Sequence, residues 1–568
     1  MNPFDYVRAD QPEKAIEAYQ NITKGNPDDT DAQFKLVQLY EDAQNYDEAR
    51  QHLAKVRAAD AKNVDVLLAS GRVEIKAGNP QAGLDYLNPA YSLATQLDNE
   101  EVKASIQQAM GVAYNGLGKL DEALRNMQDA LAIRKKLGLL RGVASSLDQI
   151  AGIQDAQGKT ADALASYKEA LAIRQQIGDK NGIATTLMNL GATYNDHAQY
   201  DNALKSLNDS LTRFRELNDE PSQATVLNDI GSARFNMGEF QDALTYYQQS
   251  YQIRDKLKLT ADVTASLHNL AETNVKLGQY DTALSQYLKA LDNGRSSADQ
   301  GVVAQESSSL GALFTTQGKY DAALKSLQEA LKSYQQANDR TWWTAETMAR
   351  YGDVLSQVGR FEEGQKQLED ALKLAAEVKN DNVMTEAMNW LGDSYFYRGD
   401  YAAARQQYEK AGALASKSKI REQVALSKLG LARLDVAQGR YAAAVPALQK
   451  LVQDADAVGL KAPSVQASTY LAQALLAIGK VDAAQQELDR ALNRAEKLGL
   501  LVEQARAHYL LAQAFAKAGK SAQATPQYRE TVRLLESVSK EDGASRVLER
   551  TDIKDIYHEA AKSSQGAP

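Results

Sequence analysis

Gly158-Lys159-Thr160, with Gly152 upstream, has the residue types of a phosphate-binding loop, in which backbone N–H groups and a lysine cradle phosphate oxygens. The spacing is wrong: five residues separate the two glycines where that loop needs four. Gly118-Lys119-Leu120, Gly318-Lys319-Tyr320 and Gly519-Lys520-Ser521 repeat the same phrase, which reads as a turn. Five histidines (His52, His197, His268, His508 and His558) are scattered along the chain, which argues against a shared metal site or a triad. There is no cysteine, so disulfides, thiol nucleophiles, iron–sulfur clusters and cysteine-ligated zinc are excluded. GxSxG, HExxH, HRD and DFG are absent. Acidic residues are abundant, but no pair stands out as general acid and base. The chain as given reads as non-enzymatic and needs no cofactor.

The composition suits helices. The 568 residues include only 10 Pro, are 44% hydrophobic and 24% charged, and are rich in Ala, Leu, Gln, Glu and Lys. A net charge of -9 argues against nucleic acid as partner. The N-terminus lacks a basic and then apolar leader pattern, and no apolar run approaches the length of about 18 residues that spans a bilayer. A cytoplasmic location without membrane insertion is the expectation.

The elements emerge from self-similarity. A turn glycine recurs in steps of 40 from Gly78 to Gly318, with Ala198 filling one slot, and continues at Gly359, Gly399, Gly439, Gly479 and Gly519. Backwards, Gln44 and Asp10 take the slot at steps of 34. Before each turn an apolar stripe carries a small residue: Gly111, Ala151, Gly191, Gly231, Ala271, Gly311, Gly352, Gly392, Gly430, Ala472 and Ala512. After it comes a second, as at Ala123, Ala163 and Ala203, and often a third, as at Ala130 and Ala170. Flanking apolar residues fall at i+3 and i+4, the helical period. The chain reads as helix A, tight turn, helix B, repeated, with small residues where the two backbones cross. Gly138, Gly178 and Asn218, also 40 apart, are stop signals after successive B helices.

Leu187-x-x-Leu190-Gly191-x-x-Tyr194, followed by Ala203 and Leu207, resembles the tetratricopeptide repeat (TPR). The 40-residue copies, with phrases such as Ala130-Leu131-Ala132-Ile133-Arg134, are similar to the lengthened subfamily of Partner of Inscuteable-type adaptors and bacterial signalling arrays. The resemblance covers about residues 5–538. It implies an all-α fold, an α-solenoid of antiparallel helix pairs in a right-handed superhelix, with each repeat contacting only its neighbours. Expected boundaries are 1–98 for repeats of 34-residue period, 99–538 for the 40-residue array, 539–562 for a C-terminal capping helix beginning near Ala544, and 563–568 for a disordered tail. The first repeat, with Tyr6 at its aromatic position, is truncated, so the natural polypeptide is expected to continue upstream of Met1.

In the resembled family helix A lines the concave side. The positions three before, one after and four after its small residue would face a ligand. They give Asp148, Asn228, His268 and Asn389; then Ser232, Glu272, Asp353 and Asp393; then Asn115, Asp155, Asn195, Phe235, Thr315, Ser356 and Phe396. Asn offers both donor and acceptor to a peptide backbone, carboxylates favour a basic ligand, and aromatics offer pockets. Trp342-Trp343 is a further candidate contact, with core packing the favoured reading. The expected function is a scaffold or adaptor holding an extended peptide or a partner domain. The alternative is the regulatory tail of a larger bacterial enzyme, foremost a eukaryotic-like serine/threonine kinase, or else a glycosyltransferase or CHAT-type protease. Partner identity and oligomeric state are not readable.

Overall fold

The computed structural model describes residues 12–565 apart from Gln44. Asp10, Tyr6, Gln44 and the last three residues of the tail, all invoked above, lie outside the described residues. The described residues form 28 α-helices and one short 3-10 helix, with no strand.

The pair Lys180–Asp196 and Tyr200–Glu216 shows how the sequence builds one repeat. Asp179 caps the first helix by accepting from the Gly182 N–H. Leu187 and Leu190 on one helix, and Leu207, Leu211 and Phe214 on the other, are buried. Gly191 stands at the crossing, where a Cβ would lie 2.6 Å from Leu207 Cγ. Ala198 then takes the left-handed conformation, with φ 55°, that reverses the chain. Such a residue closes both kinds of turn, within and between repeats. From Gly78 to Gly519 a positive φ recurs every 20 residues, with one step of 21 between Asn338 and Gly359. Glycine fills most of these positions; Asp98, Ala198, Asn218, Lys258, Ala298, Asn338, Lys379 and Lys419 fill the rest.

The two repeat lengths differ in helix length. Thr30–Asp42 and Tyr46–Ala59 have 13 and 14 residues, whereas Glu100–Gly116 and Leu120–Lys136 have 17 each. The longer repeat thus adds about one turn to each helix. Helix A also touches helix A of the next repeat, as Val64–Lys76 does Glu100–Gly116 and Trp342–Gln357 does Asp381–Arg398. The B helices make no comparable contact among the described residues. The A helices therefore form the inner layer, with the tighter curvature.

Gly430 does not hold the crossing assigned to it. Elsewhere the small residue lies seven before the turn glycine, and for Gly439 that residue is Ala432, which is buried. Gly430 instead faces Tyr408 of the preceding B helix, whose ring would be 2.4 Å from an added Cβ.

The chain forms two compact units, one ending at Asp229 and one beginning at Ile230, with the boundary inside the helix Glu220–Met237. In the first unit the apolar clusters join only adjacent helices. Each repeat there touches its neighbours, as expected for a solenoid. The second unit departs from that rule. Lys276 pairs with Glu422 at 2.6 Å across 146 residues, and the Asp321 N–H donates to Glu541 Oε2 across 220. One apolar cluster joins Ala271, Tyr287 and Leu313 to Val465, Leu498 and Leu500. The coil of the second unit closes on itself, and the ends of its early helix pairs rest on its last repeats.

The C-terminal segment also differs from the expected cap. After the helix Ser521–Ser539 come a 3-10 turn, Val547–Glu549, an extended Arg550 (φ −58°, ψ 132°), and a helix, Thr551–Ser564. That helix reaches back to Asp381–Arg398 as well as covering the last repeat. Ser563 and Ser564, expected in the tail, belong to it.

Candidate functional site: the inner face of the A helices

In the first unit the three inner rows have distinct characters. The row one after the small residue is Val112, Gly152 and Ala192: exposed or half-buried, with no bulky polar group. Beside it runs the row four after, with Asn115 exposed, Asp155 half-buried and Asn195 buried. The row three before is more enclosed. Asp148 is buried, paired with Arg174 at 2.6 Å and accepting from the Thr186 hydroxyl at 3.1 Å. Burial pushes its carboxyl up to about 6, although Arg174 and Thr186 pull the other way. Asp148 is thus a structural lock between adjacent A helices. Asn228 is half-buried.

Asp155 is more accessible. It accepts from His197 Nε2 at 2.8 Å, and the same ring meets Thr160 Oγ1 at 2.9 Å. Asp196 lies alongside, its pKa raised first by partial burial and then by the charge of Asp155. Val112, Gly152 and Ala192 thus form a small or apolar row beside a polar, acidic one of Asn115, Asp155 and Asp196, and the pair of rows is termed the trough. Lys159 and Thr160 show no phosphate cradle: Lys159 Nζ bonds Gln157 Oε1 and Thr160 starts a helix. Among the described residues, no group of three or more His, Asp and Glu is placed to hold a metal ion.

In the second unit most of the inner-face positions are buried. Ser232 and Phe235 are half-buried, Phe235 edge-on to Phe240 at 5.3 Å, and Glu272 is exposed. His268 is buried, with Nδ1 3.0 Å from Glu306 Oε1. Burial opposes its charged form, but Glu306 and Glu272 outweigh that and raise its pKa. Thr315 and Ser356 are buried and donate to helix carbonyls four residues back. Asn389 is buried between Gln423 and Ser427. Phe396, expected as an open pocket, is 2% exposed beneath the Arg433 guanidinium, 4.5 Å from its ring centre. Asp393 accepts from Tyr408 Oη at 2.6 Å and from Arg433 Nη1 at 3.0 Å. Asp353 is buried and accepts from Gln357; burial, and then Asp393, push it up to about 7. Trp342 and Trp343 stack on each other at a helix start, Trp342 exposed and Trp343 half-buried, so core packing does not describe them.

Sequence reasoning missed Arg433. Counted from Ala432 it falls one after the small residue, and the slip to Gly430 hid it. It also missed the position six before the small residue, which puts Glu346, Glu386 and Arg506 on the same face; that position is one turn beyond the three considered. A third omission is structural. Arg134, Arg174 and Arg254, 40 and then 80 residues apart in equivalent places on B helices, are buried and donate to the carbonyls of Gly142, Gly182 and Asp262. They lock the turn between repeats, which explains the arginine in the Ala-Leu-Ala-Ile-Arg phrase.

Comparison with known proteins agrees with this architecture. A family model described as "MalT-like TPR region" matches residues 235–537. Tetratricopeptide-repeat models match 64–136, 142–216 and 6–72. The chain belongs to the tetratricopeptide-repeat family, a family of protein-binding scaffolds rather than catalysts. No curated protein matches it in sequence. Among solved structures it is similar to a Rap protein complexed with competence and sporulation factor, at 14% identity and TM-score 0.48, over 63% of this chain and 99% of that one. Aspartyl phosphate phosphatase F from Bacillus subtilis matches at 13% identity and TM-score 0.45, over 62% and 94%. BtubC from P. vanneervenii matches at 19% and 0.31, over 45% and 93%. No described helix is long and apolar enough to cross a membrane.

Proposed function

We propose that the chain is a protein-interaction scaffold, and that the first unit binds an extended, basic peptide along the inner face of its A helices. The supporting observation is the trough at Gly152. There a floor of Val112, Gly152 and Ala192 gives a peptide backbone close approach, and Asn115, Asp155 and Asp196 line the rim. Asn115 can both donate to and accept from a peptide unit whatever its sequence. The pKa of Asp196 is raised first by partial burial and second by the charge of Asp155, and a lysine or arginine of the ligand would offset the second. Charge of this sign would also speed encounter with a basic partner.

An array of synthetic 15-residue peptides, graded from acidic to basic, tests this reading. Capture of basic peptides by the wild-type chain, lost in Gly152→Leu, is the expected result. A clear bias toward acidic peptides, or capture unchanged by Gly152→Leu, would overturn it.

A further inference from the structure

The inner face of the second unit holds a ligand that the chain itself supplies. Arg550-Thr551-Asp552 lies on it, bonded to Arg506, 46 residues before Asp552, and to Gln357, 193 residues before Arg550. Asp552 is buried and binds Arg506 Nη2 at 2.7 Å and Arg550 Nη2 at 2.9 Å. Burial works against its charge, but the two arginines prevail and hold its carboxyl down at about 2. Arg550 places its guanidinium 3.7 Å from the centre of the Tyr397 ring and donates to the Gln357 carbonyl. Arg550 and Asp552 also bond each other, through Nε to Oδ1 at 3.0 Å, so the two groups arrive as a preformed pair.

The receiving surface is more than a helix end packed on a core. Arg433, 3% exposed, spends Nη1 on Asp393 and leaves Nε and Nη2 without a partner. Arg506, 4% exposed, gives its Nε no hydrogen bond, only an ion-pair contact with Glu503 at 3.6 Å. Buried guanidinium N–H groups left open are costly and suit a carboxylate. The Tyr397 face supplies the complementary place for a cation. The segment that brings the pair is attached at Asp542-Gly543, both exposed, after the repeat pattern has ended. Its apolar anchorage consists of Ala544, Val547, Ile553 and Ala560, which are buried, with Leu548, Ile556 and Tyr557 partly buried beside them.

We infer that the inner face around Tyr397, Arg433 and Arg506 is a recognition site for a peptide carrying arginine two residues ahead of aspartate, kept filled in cis by Arg550-Thr551-Asp552 until such a partner displaces it. This site is built from residues of the second unit, and its test is independent of that for the first unit.

The test keeps the whole chain. A protease site inserted between Asp542 and Gly543 is cut after folding, and a fluorescein-labelled synthetic copy of residues 543–568 is added. The nicked chain is expected to keep its helical circular dichroism and to exchange its own segment for the labelled one, whereas the uncut chain takes up none. Peptides with Asp552→Asn or Arg550→Ala should bind at least tenfold more weakly. Release of the segment only together with loss of helical signal, or equal binding of the altered peptides, would overturn the inference. If the insertion prevents folding, hydrogen exchange of the unmodified chain decides. Amides of Thr551–Ser564 should exchange at least tenfold faster than those of Leu501–Lys517, and Asp552→Asn should widen the gap. Equal protection of the two helices would make the segment part of the core.

Discussion

Gly191 and Gly152 both sit in A helices, yet only one is needed for packing. At Gly191 an added Cβ would lie 2.6 Å from Leu207 Cγ, 2.8 Å from Leu207 Cδ2 and 3.3 Å from the Ala203 carbonyl oxygen. Leu207 is fully buried, and the clash is at its branch point rather than at a mobile tip. At Gly152 the nearest atom is Tyr167 Oη at 3.7 Å, an ordinary contact. Replacing either by leucine gains the same helix propensity, about 0.8 kcal/mol. The propensity gain cancels when the two variants are compared, and what remains is the overpacking at the crossing, about 1–3 kcal/mol. Gly152→Leu is thus expected to be as stable as wild type or slightly more so, and Gly191→Leu less stable than Gly152→Leu by that amount. Urea unfolding followed by far-UV circular dichroism gives the midpoints, and hydrogen exchange over Lys180–Glu216 localises the loss. Coincident midpoints for the two variants would refute the placement of the crossing, and with it the register of the whole array.

Three further outcomes follow from the same geometry. Ala198→Gly or Lys258→Gly, at positive φ of 55° and 57°, should each raise stability by about 0.5–1 kcal/mol, seen as a higher urea midpoint. Arg134→Met should cost about 1–3 kcal/mol in the same assay, because Ser146 Oγ, 2.7 Å away, and Gln108 Oε1, 2.6 Å away, lose a buried donor. Asp353 sets a pH dependence: its folded pKa of about 7 exceeds the unfolded value of 3.8, so the native state holds the extra proton between them. Its contribution is full below pH 4 and is lost as pH rises toward 7, at no more than ~1.4 kcal/mol per pH unit. Asp353→Asn should flatten that slope, and an unchanged slope would show that the group is ionised in the fold.

The periodicity revealed the helix pairs because each repeat needs a small residue at its crossing and a left-handed residue at each turn. Those demands fall on single positions, such as Gly191 and Gly178, and so are visible in one chain. The closure of the second unit was not visible. It depends on contacts such as Lys276 with Glu422 and on an apolar cluster that holds both Tyr287 and Leu498, positions that look in sequence like ordinary surface and core. The expected ligand face divides for the same reason. Asn115 is exposed and Asp155 half-buried under His197, whereas Asp353, Asn389 and Phe396 are buried among later parts of the second unit. Asp148 shows a further limit: position placed it on the inner face, but Arg174 on the next helix and Thr186 on the one after made it a lock. The C-terminal helix began later than expected because Arg550 is held extended by its contacts, a tertiary demand that local propensity does not report.

The central claim is that the inner layer of A helices is the ligand surface of the first unit. Hydrogen exchange with and without the strongest basic peptide from the array tests it most directly. The account predicts added protection in Leu140–Ala156 and Lys180–Asp196, and none in Thr160–Ile177 or Tyr200–Glu216. Protection confined to the latter two helices would contradict it.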